Sequence, residues 1–125
     1  MTTILVVDDE YLIADIIGYA LEDEGFMVVK ASNGQKGLEV LERERPALII
    51  TDFMMPIMDG LEFAASVRAL PSLNYLPIIL MSGAQAHLGK ERPDIFNAVL
   101  AKPFNIDTII AEVRRLLAAE GSTSS

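Results

Sequence analysis

The stretch ALIITDFMMPIMDG, residues 47–60, decides how this chain is read. Its first half is a short apolar run without alternation, the pattern of a strand buried on both faces. The run ends in a charged group, Asp52. A strand has to stop somewhere, and an acid at its end meets water, so one such aspartate needs no further explanation. Beyond it, Pro56 and the Asp59-Gly60 pair mark a turn, and Asp59 followed by Glu62 has the spacing of a capping box at the start of a helix. The unit is strand, acid, turn, helix.

The same unit recurs along the chain. TILVV (3–7) is a second unalternating run and ends at Asp8, Asp9 and Glu10. LIADIIGYALEDEG (12–25) then places Leu12, Ile13, Ile16, Ile17, Ala20 and Leu21 at helical spacing and stops at Gly25. FMVVKA (26–31) reads as a strand and GQKGLEVLERER (34–45) as a helix closed by Pro46, with ERER a solvated end. GLEFAASVRAL (60–70) is the helix after Asp52, LPIILMS (76–82) a fourth strand and AVLA (98–101) a fifth. The last helix, IDTIIAEVRRLLAAE (106–120), carries Ile106, Ile109, Ile110, Val113, Leu116 and Leu117 on one face. Between Ser82 and Ala98, apolar residues are sparse and Pro93 opposes a helix interior, so a fourth helix there is expected to be short or irregular. Residues 1–120 read as one domain and GSTSS (121–125) as a polar tail or the start of a linker. Alternating strands and helices predict an α/β fold: a doubly wound, five-stranded parallel sheet with helices on both faces.

Bulk properties narrow the function. A chain of 125 residues buries enough surface for one core without staples, and with 6% aromatic residues and no Trp that core is aliphatic. Ten basic against eighteen acidic residues leave a formal charge of −8, which argues against direct nucleic-acid binding by counterion release. With no Cys and a single His, His87, there is neither a disulfide framework nor a zinc cluster, and His87 reads as a solvent-facing loop residue. The N-terminus has no basic leader, and no apolar run is long enough to span a bilayer. A soluble, cytoplasmic protein without membrane contact is expected.

In an open parallel sheet, ligands sit beyond the carboxyl ends of the strands. The residues there are Asp8 and Asp9 after the first strand, Asp52 after the third, Ser82 after the fourth and Lys102 after the fifth. Carboxylates a few Å apart repel by roughly 3–4 kcal/mol per pair at an effective dielectric near 20, and one lysine offsets only part of this. Three negative charges and one positive call for a divalent cation, and hard oxygen ligands point to Mg²⁺, with Mn²⁺ as the alternative. A cation, a nucleophilic carboxylate, a hydroxyl and an ammonium make a phosphoryl-transfer site. Asp52 would attack a phosphoryl group in line, while Lys102 and the Ser82 hydroxyl hold its oxygens.

The set VVDDE, TDFMMPIMDG, MSGA and AKPF, in this order and spacing, resembles the receiver domain of two-component response regulators over residues 3–119, in its single-domain, chemotaxis-type form. The flavodoxin-like strand order 2-1-3-4-5 is what the resemblance implies, not something the spacing yields. By the same resemblance Asp52 is the phosphate-accepting aspartate, Asp9 a direct metal ligand, Asp8 the acid that orients a metal-bound water, and Met54 the donor of a backbone carbonyl to the metal. Ser82 is then the switch hydroxyl, Gly83 the small residue that keeps the phosphate approachable, and Lys102 precedes Pro103 through a cis bond. The implied activity is that of a switch catalysing its own phosphorylation and slow dephosphorylation. The implied partners are a histidine kinase or histidine phosphotransfer protein and an unidentified downstream protein.

One position departs from the family. Receivers commonly carry Tyr or Phe three residues before the lysine, where this chain has Val99. An aliphatic side chain cannot signal by the ring's rotamer change, so loop rearrangement around residues 83–97 is expected instead. Met54, Met55 and Met58 are expected to pack a loop against the sheet. Two other readings compete: a pseudo-receiver serving only as an interaction module, and a Mg²⁺ phosphatase that forms an aspartyl phosphate. The phosphatase chemistry needs a second acid two residues after the nucleophile, where Met54 stands.

Overall fold

The structure is a computed structural model and describes residues 2–83 and 90–123. Its elements are β1 (Thr3–Val7), α1 (Tyr11–Asp23), β2 (Met27–Ala31), α2 (Gly34–Arg43), β3 (Leu48–Asp52), α3 (Gly60–Arg68), β4 (Ile78–Ser82), β5 (Ala98–Ala101) and α4 (Ile106–Thr123). The strands form one sheet in the order β2-β1-β3-β4-β5, every neighbouring pair parallel. This is the doubly wound flavodoxin-like arrangement.

Alternation within each strand sends side chains into two cores. Leu5, Val7, Ile49, Ile78 and Leu80 join Val40 and Leu41 of α2 and Phe63, Ala64 and Val67 of α3. Ile4, Val6, Leu48, Ile50, Ile79 and Met81 join Ala14, Ile17 and Leu21 of α1 and Ile109, Val113 and Leu116 of α4. Both faces of the central strands are therefore covered, which is why their sequences show no polar alternation.

Local chemistry sets the helix ends. α1 stops where Gly25 takes a φ of 95°; there the Phe26 N–H donates to the Leu21 carbonyl and the Gly25 N–H to Glu22, a Schellman closure. Asn33 caps α2 by accepting from the Lys36 N–H at 2.8 Å. Asp59 and Glu62 form the capping box of α3 in both directions.

Some expectations are corrected. On α1 the buried face is Ala14, Ile17 and Leu21, whereas Leu12 and Ile16 are 62% and 50% exposed. The apolar arc of this helix is wider than its contact with the sheet. α4 runs to Thr123, three residues past the end expected for the last helix at 120, because extending an existing helix adds a hydrogen bond per residue without a new nucleation cost. Residues 84–89, and with them His87 and much of the stretch expected to hold a short or irregular fourth helix, lie outside the described residues. At Pro93 the chain makes a turn, with the Ile95 and Phe96 N–H groups both donating to the Arg92 carbonyl at 3.0 Å. Among the described residues no helix is long and apolar enough to cross a membrane.

Phe63 is fully buried and faces the close approach of α2 at Gly34 and Gly37. Phe63→Ala is expected to cost about 3–5 kcal/mol, read as a lower urea midpoint at unchanged slope.

Candidate functional site

The carboxyl edge of the sheet collects the charged residues. The β1 ladder runs one residue past the strand, through the Asp8 N–H to the Ala31 carbonyl at 3.0 Å, and this holds Asp8 in the edge at 1% exposure. Its Oδ1 accepts from the Glu10 N–H at 2.9 Å, while its Oδ2 is buried without a partner among the described residues. Asp9, next along, is exposed. Asp52 is the last residue of β3, in register with Met81, and is 4% exposed. Ligand oxygens of Asp8, Asp9 and Asp52 lie within 4.8 Å of one another.

The other half of the site comes from β4 and β5. Lys102 Nζ lies 2.8 Å from Asp52 Oδ1. The Lys102 N–H donates to the Ser82 carbonyl at 2.9 Å, so ammonium and hydroxyl are tied to each other through the backbone. Ser82 Oγ is buried and has no hydrogen-bond partner among the described residues. The Lys102–Pro103 peptide bond is cis. Gly83 follows as an exposed bend, and Val99 is half-buried against the α2/α3 core.

Two contributors act through their backbone, a role of which the sequence shows no sign. A Cβ at Gly60 would collide with the Asp52 carbonyl oxygen and lie 2.9 Å from Phe53 Cα, so only glycine lets α3 start this close to the end of β3. The Gly60 N–H also donates to the Phe53 carbonyl at 2.8 Å. The Asp-Gly pair was read there as a turn and cap, but its role as a spacer depends on which backbone it meets. Glu10 is the other, through its N–H to Asp8. Of the methionines, Met55 and Met58 pack against the core as expected, whereas Met54 is 61% exposed and does not.

Burial pushes the Asp8 carboxyl up to about 6, with Asp52 and Asp9 adding to the rise and the Glu10 N–H and Lys102 opposing it. Burial also raises Asp52, despite its contact with Lys102. For Lys102 burial acts downward, but the carboxylates of Asp52 and Asp8 prevail and its pKa is raised. Three carboxyl groups therefore face one ammonium, and burial disfavours the ionised form of the two that are enclosed. An orphaned buried carboxylate oxygen, three clustered hard-oxygen donors and an unpartnered hydroxyl are the donor set that Mg²⁺ and a phosphoryl group fit.

Comparison with known proteins bears on the same residues. Residues 4–114 match the response regulator receiver domain family. The chain is 40% identical over 102 residues to an uncharacterized 14.6 kDa protein of Leptolyngbya boryana, covering 80% of this chain and 78% of that one. It is 31% identical to sporulation initiation phosphotransferase F of Bacillus subtilis, covering 91% of this chain and 92% of the relative. Among solved structures it is similar to the response regulator TrrA of Thermotoga maritima in complex with Mg(2+)-BeF, at a TM-score of 0.82 and 32% identity over 93% of this chain and 99% of that one. Of several other curated relatives the chain spans about half the length.

Two outcomes are expected. Gly60→Ala should destabilise by roughly 2–3 kcal/mol in chemical denaturation, since backbone rather than a flexible side chain must yield. For Asp8, a carboxyl raised above its unfolded value binds more protons when folded, so its contribution to stability falls as pH rises from about 4 through 6. In chelator, Asp8→Asn should therefore be more stable than the native chain at pH 7, by on the order of 1–3 kcal/mol, with the gap closing toward pH 4.

Proposed function

The chain belongs to the response regulator receiver domain family, and on that premise we propose that it is a phosphorylation-dependent signalling switch whose phosphoacceptor is Asp52. The observation that carries this reading is the carboxyl edge itself: a nearly buried Asp52 in contact with Lys102, flanked by two further acids, beside a buried hydroxyl with no partner among the described residues. Asp8, Asp9 and Asp52, with the Met54 backbone carbonyl, would hold Mg²⁺ or Mn²⁺. When bound, such an ion supplies positive charge to the phosphoryl oxygens.

The chain's own groups divide the remaining work. An Asp52 carboxylate oxygen attacks phosphorus in line. The P–O bond forms as the P–N bond to a donor imidazole breaks, and the leaving nitrogen keeps the bonding pair and takes a proton from solvent. Lys102 opposes the rise that burial imposes on the Asp52 carboxyl, then meets the phosphoryl oxygens as the carboxylate becomes the acyl phosphate. The Ser82 hydroxyl, free to rotate, donates to another of these oxygens, and Gly83 leaves the approach open. Attack by water later returns the carboxylate and inorganic phosphate.

The partners in this reading are a histidine kinase or histidine phosphotransfer protein as donor and a downstream protein as receiver of the signal, in the cytoplasm. With Val99 in β5, signalling passes through the chain around residues 83–97 rather than through an aromatic ring.

Intact mass after incubation with acetyl phosphate tests the assignment. A single phosphate adduct that needs Mg²⁺ and is absent in Asp52→Asn is the expected result. An adduct that persists in Asp52→Asn would move the acceptor elsewhere. Failure to accept phosphate from both acetyl phosphate and a phosphohistidine protein, with Mg²⁺ binding intact, would leave an interaction module that does not switch.

A further inference from the structure

β5 is the least secured strand of the sheet. It lies at the edge, pairs among the described residues with β4 alone, and has four residues, AVLA, none of them fully buried. All four are apolar, so no alternation penalises a shifted pairing. Register is strongly specified only where one set of side chains must face in and another out. Yet Lys102 follows this strand directly, and a slip of one residue would move it by about 3.3 Å and turn it to the other face. Its 2.8 Å contact with Asp52 would be lost.

At the opposite end of β5 the structure has a polar staple centred on Arg68, the last residue of α3. Its Nε and Nη2 donate to the Ile95 carbonyl at 3.1 and 2.6 Å, and its Nη1 donates to the Asn74 and Leu76 carbonyls at 3.0 and 2.6 Å. Nη2 also donates to Asn97 Oδ1 at 2.9 Å. These contacts engage all five guanidinium N–H groups in their planar fork. The same Asn97 Oδ1 accepts from the Ile78 N–H at 2.9 Å, and the Asn97 N–H donates to the Ile78 carbonyl at 2.8 Å. Asn97 thus closes a two-bond clasp on the first residue of β4, one position before β5 begins. Arg68 closes a helix whose Ala64 and Val67 are fully buried in the core.

We propose that Arg68 and Asn97 set the register of β5 on β4, and thereby act as positioning residues for Lys102 at the far end of the strand. A polar cluster with few alternative geometries does here what pairing on both sides and burial on both faces do for the interior strands. The acids need no such help: Asp8 and Asp52 close β1 and β3, which are paired on both sides and buried on both faces. The inference about transfer rests on the reading of Asp52 as phosphoacceptor; the inference about register does not.

The test uses Arg68→Lys, which keeps the charge but not the fork, and Asn97→Ala, each alone and combined with Lys102→Ala. Three readouts are taken: β4–β5 inter-strand NOEs, Mg²⁺ affinity by titration, and the initial rate of adduct formation from acetyl phosphate. The expected result is loss or displacement of the Ser82–Ala101 pairing signals with Mg²⁺ affinity unchanged. The rate should fall by roughly tenfold or more through misplacement of Lys102. In the Lys102→Ala background the same substitutions should cause no further fall, since they act through the missing ammonium. Native pairing signals in both variants would overturn the proposal, as would an equal loss of rate with and without Lys102, which marks general destabilisation. If the native chain accepts no phosphate, the reading of Asp52 fails, and the NOEs still decide the register.

Discussion

A parallel sheet covered by helices on both faces has no room for charge except beyond the ends of its strands. Here that constraint brings Asp8, Asp52, Ser82 and Lys102 to one edge, and the contact between Asp52 and Lys102 is the interaction around which the edge is organised. It joins the interior strands, which carry the acids, to the edge strand, which delivers the cation. Burial and attraction oppose each other at this contact. Burial prevails for both buried acids and raises their pKa values, and three carboxyl groups face one ammonium at this edge.

That imbalance has a structural cost and a chemical use. Among the described residues a buried carboxylate oxygen and a buried hydroxyl are left without partners, where most such groups in folded proteins are satisfied. Gly60 holds α3 close enough to enclose Asp52, and the Glu10 N–H fixes one oxygen of Asp8 while leaving the other free. The fold tolerates this edge because its two aliphatic cores lie elsewhere, on either side of the sheet. Polar groups left open in this way are suited to a ligand that brings its own charge.

Much of the fold was legible in the sequence because double-sided burial writes itself as uninterrupted apolar runs. The acids were legible because the first and third of these runs end abruptly in them. The faces of α1 were not: helical spacing shows two apolar flanks, and only the sheet decides that Ile17 and Leu21 are covered while Leu12 and Ile16 are not. Met54 likewise looks like a packing residue beside Met55 and Met58 until the loop turns it outward. Arg68 gave no signal at all, since its partners are carbonyls of residues 74, 76 and 95 and the side chain of Asn97, and a backbone carbonyl has no sequence identity.

The amino-acid sequence by itself determined the order of strands and helices, the aliphatic character of the core and the set of residues that close each strand. These follow from local periodicity and from where apolar runs stop. The tertiary structure decided which carboxylate oxygens remain unpaired, how nearly Asp8 and Asp52 are buried and how Lys102 is brought within 2.8 Å of Asp52. Those properties depend on the distance and desolvation between segments far apart in the chain, and periodicity within any one segment carries no record of them.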